Sequence, residues 1–465
     1  MKRRFRHSTT GGALGGLLVA AALASACGDS GSSGEGATTP TSSATTTSAL
    51  PPIQVATTTT IPATYVLQAG DSPSLVADHF GLSVEALEAA NAGNENYYRF
   101  LVGAEINLTP PPTTVPPSTV AAASTLPPTT PAPVSGRVTM AFSGDVLAHR
   151  AVNRAAAQAD GTYDYRAMFA NIAPLVSGVD LAICHLESPV TPDDEVLVPP
   201  PLLAVDEAIG PALAGAGYDR CSTASNHALD HGAAGVEATI AALAAAGMGQ
   251  SGMADGPDAV LPPILEINGV RAAHLSYAFG FDVGNPPADQ PWLANRIDTD
   301  RIIRDARAER ELGAEAVIVS LHWGAAQVVQ PTADQRRVAE VLTASGAVDL
   351  IVGHHAHVLQ PIEQVNGVWV VWGMGNVLSN HPTSDEWPPS TQDGVVVTVA
   401  LQRNQDGSIV VETPVAYPTW CDKEHGYVIR LTTEVDDLTL TASVREQLRR
   451  SQQRSSKVLG PYLAG

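Results

Sequence analysis

Six short polar motifs carry the chemistry of this 465-residue chain. They are Gly144-Asp145, His185-Leu186-Glu187, Ser225-Asn226-His227, His322-Trp323-Gly324, Gly353-His354-His355-Ala356-His357 and Gly375-Asn376. Eight of the thirteen histidines lie in or within four residues of them: His149, His185, His227, His231, His322, His354, His355 and His357. Any one of these histidines alone reads as structural; together they read as a metal site. Mixed imidazole, carboxylate and amide donors suit Zn, Mn or Fe better than Ca or a structural zinc finger. A carboxylate can bridge two cations, and such a pair clamps a phosphoryl centre and activates water. His355 and His357 are two residues apart. In an extended segment they face one side, which predicts that both reach one cluster while His354 points away and is structural.

Each motif follows a run that reads as a strand. The runs are 138–142, 181–184, 220–223, 272–277, 316–321, 350–352 and 368–372, with helix-like stretches at 206–216, 234–247, 300–312 and 333–346 between several of them. Strands alternating with helices predict α/β layering around a mostly central sheet. In open α/β sheets, ligands collect beyond the carboxyl ends of the strands, so six strand ends deliver their polar groups to one edge. The last 75 or so residues add β-branched runs at 394–401 and 409–412 and a terminal helix from Val444 to Leu459. Cys184 and Cys221 lie in strand-like runs and read as buried thiols acting as small apolar residues, with a disulfide between neighbouring strands as the alternative.

The first 135 residues have a different character. Lys2, Arg3, Arg4 and Arg6, the apolar run Leu14–Leu23 and the small residues before Cys27 form a signal-peptide layout over 1–27. The apolar run is too short to span a bilayer, and Cys27 resembles the lipidated cysteine of a bacterial lipobox. Residues 28–62 and 111–135 are rich in Ser, Thr, Pro, Gly and Ala and read as tethers. Between them, 63–110 forms a compact βααβ island. It resembles a LysM module through Tyr65, Val66, Gly70, Asp71, Ser72, Ala77, Phe80, Gly81, Leu87, Asn91, Gly103 and Ile106. That resemblance implies a peptidoglycan glycan as partner. The net charge of −21 excludes a basic nucleic-acid footprint. It also excludes electrostatic attraction to anionic lipid, so membrane contact needs the lipid anchor.

Over 136–465 the order of motifs resembles the calcineurin-like metallophosphoesterase superfamily, and more closely its capsule-synthesis (CapA, poly-γ-glutamate) branch. The residues concerned are Phe142-Ser143-Gly144-Asp145, Leu186-Glu187-Ser188-Pro189, Asn226 to Gly232, Ser320 to Gly324, Gly353 to Pro361 and Gly375-Asn376. The resemblance implies a layered α/β sandwich that binds one or two divalent ions, Mn, Fe or Zn. It implies that Asp145 and His357 hold one metal, Glu187 bridges, and Asn226, His322 and His355 hold the second. His227 is then the candidate acid for a leaving group, oriented by Asp230. Leu147 stands where the wider superfamily has a His, which leaves the first metal site short of a ligand. His185 and His149 are candidate substitutes. The implied function is a lipid-anchored hydrolase-fold protein on the outer face of the cell membrane. It would make, export or anchor an anionic envelope polymer such as poly-γ-glutamate. A non-catalytic tether and a secreted phosphoesterase or nucleotidase are the alternatives. The chain's acidity would repel a polyanion unless the metals dominate the local field.

Overall fold

The computed structural model describes residues 62–67, scattered positions between 76 and 108, and 136–464 with short breaks. The chain divides into two compact units, Met1–Leu126 and Pro127–Gly465. The signal segment, Cys27 and, apart from Pro62, both tethers lie outside the described residues, as do the turns at 70–72, 81 and 103.

In the first unit, β1 (Thr64–Val66) pairs antiparallel with β2 (Glu105–Asn107). Leu67, Val76, Leu87, Ile106 and Leu108 form its small core. Asn91 ties the pieces together. Its amide nitrogen donates to the carbonyls of Leu87 (2.8 Å) and Asn107 (2.7 Å), and its side-chain oxygen accepts from the Asn107 N–H at 2.8 Å.

In the second unit, β3 (Arg137–Val146) leads into the short helices α1 (Arg150–Ala156), α2 (Arg166–Phe169) and α3 (Ala173–Val176). There follow β4 (Leu181–Leu186), α4 (Ile209–Ala216), β5 (Arg220–Ser222), α5 (Gly232–Ala245) and β6 (Gly249–Ser251). Next come β7 (Leu265–Ile267), β8 (Val270–Ala278), α6 (Thr299–Glu311), β9 (Ala316–His322), α7 (Ala333–Ala344) and β10 (Leu350–His354). The chain then turns to strands: β11 (Ile362–Val365), β12 (Val368–Val371), β13 (Asn376–Leu378), β14 (Asp393–Arg403), β15 (Ile409–Val411), β16 (Val415–Asp422) and β17 (Val428–Leu431). It ends with helix α8 (Ala442–Leu459).

These strands build two sheets, not one central sheet. The first runs β17-β16-β14-β3-β4-β5-β6, with β13 beside β3 and β15 beside β14; the second runs β11-β12-β10-β9-β8-β7. They pack face to face. Val138, Met140, Phe142, Leu181 and Ile183 of the first meet Ala272, Ile318, Leu350 and Val352 of the second in one core. Helices cover the outer faces, through Val152, Phe169, Ile209 and Leu213 on the first sheet and Ile302, Ala306, Val338 and Leu342 on the second. The result is a four-layer α/β sandwich. Strands buried on both faces read as continuous apolar runs, and such runs do not encode which sheet a strand joins. The helix signals are local and hold. Asp298 caps α6 through the Arg301 N–H, and Thr332 with Gln335 forms a capping box on α7.

Cys184 and Cys221 are joined by a disulfide, which corrects the free-thiol expectation. The parallel register of β4 and β5 sets the two residues directly opposite each other, with Cα atoms 4.4 Å apart, within bridging range. Strand register is a long-range property, invisible in the local runs. Peptide mapping after alkylation without reduction should find Cys184 linked to Cys221 and Cys421 as an unlinked thiol.

Helix α8 is held by one buried charge. The Asp393 carboxylate accepts from Arg454 Nε (2.6 Å), from its terminal nitrogen (2.7 Å) and from Ser451 Oγ (2.7 Å). Burial pushes this carboxyl up to about 6, against the pull of Arg454. Arg454→Ala leaves a buried carboxylate without its cation, and should cost about 3 kcal/mol or more in denaturant unfolding.

Candidate metal centre

Two rows of strand ends face each other across the sandwich. In the first sheet, register aligns Asn376, Asp145, His185 and Ser222 on β13, β3, β4 and β5. In the second, it aligns Ala278, His322 and His354 on β8, β9 and β10. The close approach of β13 depends on Gly144, where a Cβ would overlap the Gly375 carbonyl oxygen. That carbonyl accepts the Asp145 N–H at 2.8 Å.

Asp145 is fully buried and accepts from His354 Nδ1 at 2.9 Å and from the His355 N–H at 3.1 Å; His357 Nδ1 lies 3.5 Å from it. Burial alone would raise its pKa. Hydrogen bonds from His354 and His357 outweigh burial and hold it well below the ordinary carboxylate range. Glu187 is the opposite case. It is 1% exposed, and neither carboxylate oxygen has a hydrogen-bond partner. His322 Nε2 lies 3.9 Å and His357 Nε2 3.8 Å from Glu187 Oε1. Burial, then the charge of Asp145, pushes Glu187 well above its usual range. A cation reverses that logic.

The imidazoles are held ready as ligands. Burial and neighbouring imidazoles lower His185 and His322 well below the ordinary value, and lower His355 to about 3. Neutral imidazole is the ligating form. His185 Nδ1 meets Ser222 Oγ at 2.9 Å, and His185 Nε2 meets His322 Nδ1 at 2.9 Å. This relay has two tautomeric settings. When Ser222 donates to the Cys184 carbonyl, 3.2 Å away, His322 Nε2 presents a lone pair. It then faces Asn226 Oδ1 at 2.7 Å, while Asn226 Nδ2 donates to Asp282 at 3.0 Å. In the other setting His322 Nε2–H donates to Asn226 Oδ1, so the relay can present either a proton or a lone pair at that nitrogen. The orphaned, buried Glu187 oxygens among these imidazoles show that the donor set fits a divalent ion.

The sites expected from sequence thus meet at one place: Asp145, Glu187, Asn226, His322, His355 and His357. Donor atoms gather in three overlapping groups: Asp145 with His185 and His354, His185 with Glu187 and His322, and Glu187 with His355 and His357. His354 is a correction, because it enters the centre. His355 and His357 have φ of 82° and 55°, so the segment is not extended and alternation fails. Left-handed conformations in non-glycine residues cost of order 1 kcal/mol each and gather at functional sites. Leu147 is buried and packs in place without donating.

His227 stands at the rim. Its Nδ1 meets Asp230 Oδ2 at 2.8 Å, and its Nε2 lies 3.8 Å from Asp282 Oδ2. Asp230 also accepts the Leu203 N–H at 2.7 Å. A carboxylate only accepts, so Asp230 fixes the proton on Nδ1 and turns Nε2 outward. A cavity of about 560 Å³ opens there, lined by His227, His355, His357 and His381 among others. Sequence reasoning missed Asp282 and His381. Asp282 sits in a loop without a motif. His381 stacks on Trp387 with ring centres 4.1 Å apart and lies 4.6 Å from His357; only its position after Asn376 hinted at this.

Comparison with known proteins agrees with the geometry. Residues 139–381, more than half of the chain, match the family model "Bacterial capsule synthesis protein PGA_cap". The chain belongs to that family. The PGA biosynthesis protein CapA of Bacillus subtilis is 27% identical over 301 residues, covering 60% of this chain and 71% of that one. The capsule biosynthesis protein CapA of Bacillus anthracis is 27% identical over 277 residues, covering 58% and 65%. A probable polyglutamine synthesis accessory protein of Mycobacterium tuberculosis is 28% identical over 220 residues, covering 44% and 57%. Among solved structures, the calcineurin-like phosphoesterase YfkN of Bacillus subtilis aligns with 69% of this chain and 98% of its own, at 14% identity and a TM-score of 0.39.

Chelation followed by a hundredfold excess of Mn²⁺ over its Kd should stabilise the folded protein by about 2.7 kcal/mol, read as a rise in Tm. Glu187→Gln and His355→Ala should each abolish most of that rise and lower the metal found by elemental mass spectrometry.

Proposed function

We propose that this protein is a metal-dependent hydrolase of the cell surface, acting on a phosphoester or related bond in the making, export or anchoring of an anionic capsule polymer. The observation that carries this is the fully buried Glu187 carboxylate, whose oxygens have no hydrogen-bond partner although the imidazoles of His322 and His357 lie within 4 Å of one of them. Asp145, Glu187, Asn226, His322, His355 and His357 would hold one or two ions, of Mn, Fe or Zn. Bound there, such ions would lower the pKa of water and offset developing negative charge.

The chain's own residues do the rest. Asp230 holds the His227 imidazole with Nε2 toward the cavity, where it can protonate a departing oxygen. Asn226 fixes Asp282 beside that nitrogen. A pure binding module has no need of such an oriented imidazole, which favours catalysis over tethering. Export with a lipid anchor at Cys27, and glycan binding by the 63–110 module, complete the proposal. Both rest on the sequence resemblances and on the place of the family in capsule synthesis. The anchor would supply the membrane contact that so acidic a chain does not gain from anionic lipid.

A panel of phosphomonoesters and phosphodiesters, assayed with the Mn²⁺-loaded full chain, tests the reading. His227→Ala should lower kcat by about 10²- to 10⁴-fold at unchanged metal content, and Asp230→Asn should act in the same direction. Absence of any metal-dependent turnover would leave a polymer-binding module instead.

A further inference from the structure

The cavity beside the metal centre has two walls that the centre does not use. Helix α1 contributes Arg150 and Arg154, one turn apart, and the segment 196–204 contributes an apolar face with Val196, Val198 and Leu202. We propose that Arg150 and Arg154 form an anion subsite, so that the substrate carries a second anionic group, carboxylate or phosphate, besides the one held at the metal centre. The proposal rests on the metal-centre reading above.

Three observations support it. First, Arg150 and Arg154 are exposed, both line the cavity and, among the described residues, neither pairs with a carboxylate. In a chain with 47 acidic and 26 basic residues, two adjacent unpaired guanidinium groups inside a cleft are out of keeping with the bulk charge. Second, the helix that carries them is pinned. Asn153 is fully buried; its amide nitrogen donates to the carbonyls of Val196 (2.9 Å) and Ala204 (2.8 Å), and its oxygen accepts from Tyr165 Oη at 2.9 Å. One side chain therefore ties helix α1, which carries both arginines, to the 196–204 wall. Third, among the described residues Asp282 is the one acid lining the cavity, and it already accepts from Asn226.

A guanidinium fork matches carboxylate and phosphate oxygens, and a cleft of one sign concentrates its counter-ion. The metals need not then be the sole attraction for an anionic substrate on an acidic protein. A monoanionic group at the centre would bind without the arginines; a dianionic substrate would use both ends of the cavity.

Calorimetric titration of the Mn²⁺-loaded full chain tests this with alkylphosphonates of graded spacer length. Each ends in a methyl group, a carboxylate or a second phosphonate. At one spacer length, an acidic terminus should tighten binding by at least about tenfold over the methyl terminus. The double variant Arg150→Ala/Arg154→Ala should lose that gain and bind the methyl-ended compound as the wild type does. The larger gain, from carboxylate or from phosphonate, assigns the group. No gain in the wild type, or a gain that survives in the double variant, overturns the proposal. Metal dependence of the methyl-ended compound tests the centre separately.

Discussion

Two carboxylates, Asp145 and Glu187, are buried in one place, and the rest of the second unit follows from what that demands. A buried charge must be paired or must hold an ion. Asp145 satisfies the demand with imidazole and backbone donors, and so remains ionised. Glu187 does not, and so remains a ligand in waiting. Placing the two side by side makes the site costly for the bare fold and favourable for a cation. The surrounding imidazoles are the means: burial lowers the pKa of His185, His322 and His355, and the relay from Ser222 through His185 aims His322.

The two-sheet architecture allows such a site to be assembled. Carboxylates and amides come from strand ends of one sheet, and most imidazoles from strand ends of the other. The core between the sheets is apolar up to the point where the polar rows meet. The centre is thus the seam of the sandwich, and the packing of Phe142 and Ile183 against Ile318 and Val352 sets the spacing of its donors. A ligand shared between sheets also resists their separation.

Much of this is legible in the sequence because the signals are local. Strand runs ending in polar motifs placed all six expected metal ligands at one edge, and the helix-like stretches 300–312 and 333–346 match α6 and α7. What failed was long-range. The division into two sheets, the opposition of Cys184 and Cys221, and the entry of His354 each depend on register or on backbone conformation. The alternation rule misjudged His354 because His355 and His357 adopt positive φ, which no residue type there announces. Asp282 and His381 lie in loops, where spacing carries no periodicity. The island at 63–110 is legible in outline through Leu67, Leu87 and Ile106, which do form a core.

The disulfide between β4 and β5 has a topological consequence. Its cysteines are 37 residues apart, and the chain between them contains Glu187, the cavity wall at 196–204 and helix α4. This stretch is a closed covalent ring, with Glu187 near one end and the wall at its middle. A single cut by a protease in the wall would therefore open the ring without releasing either piece. A molecule that suffered such a nick would keep both halves of its site together.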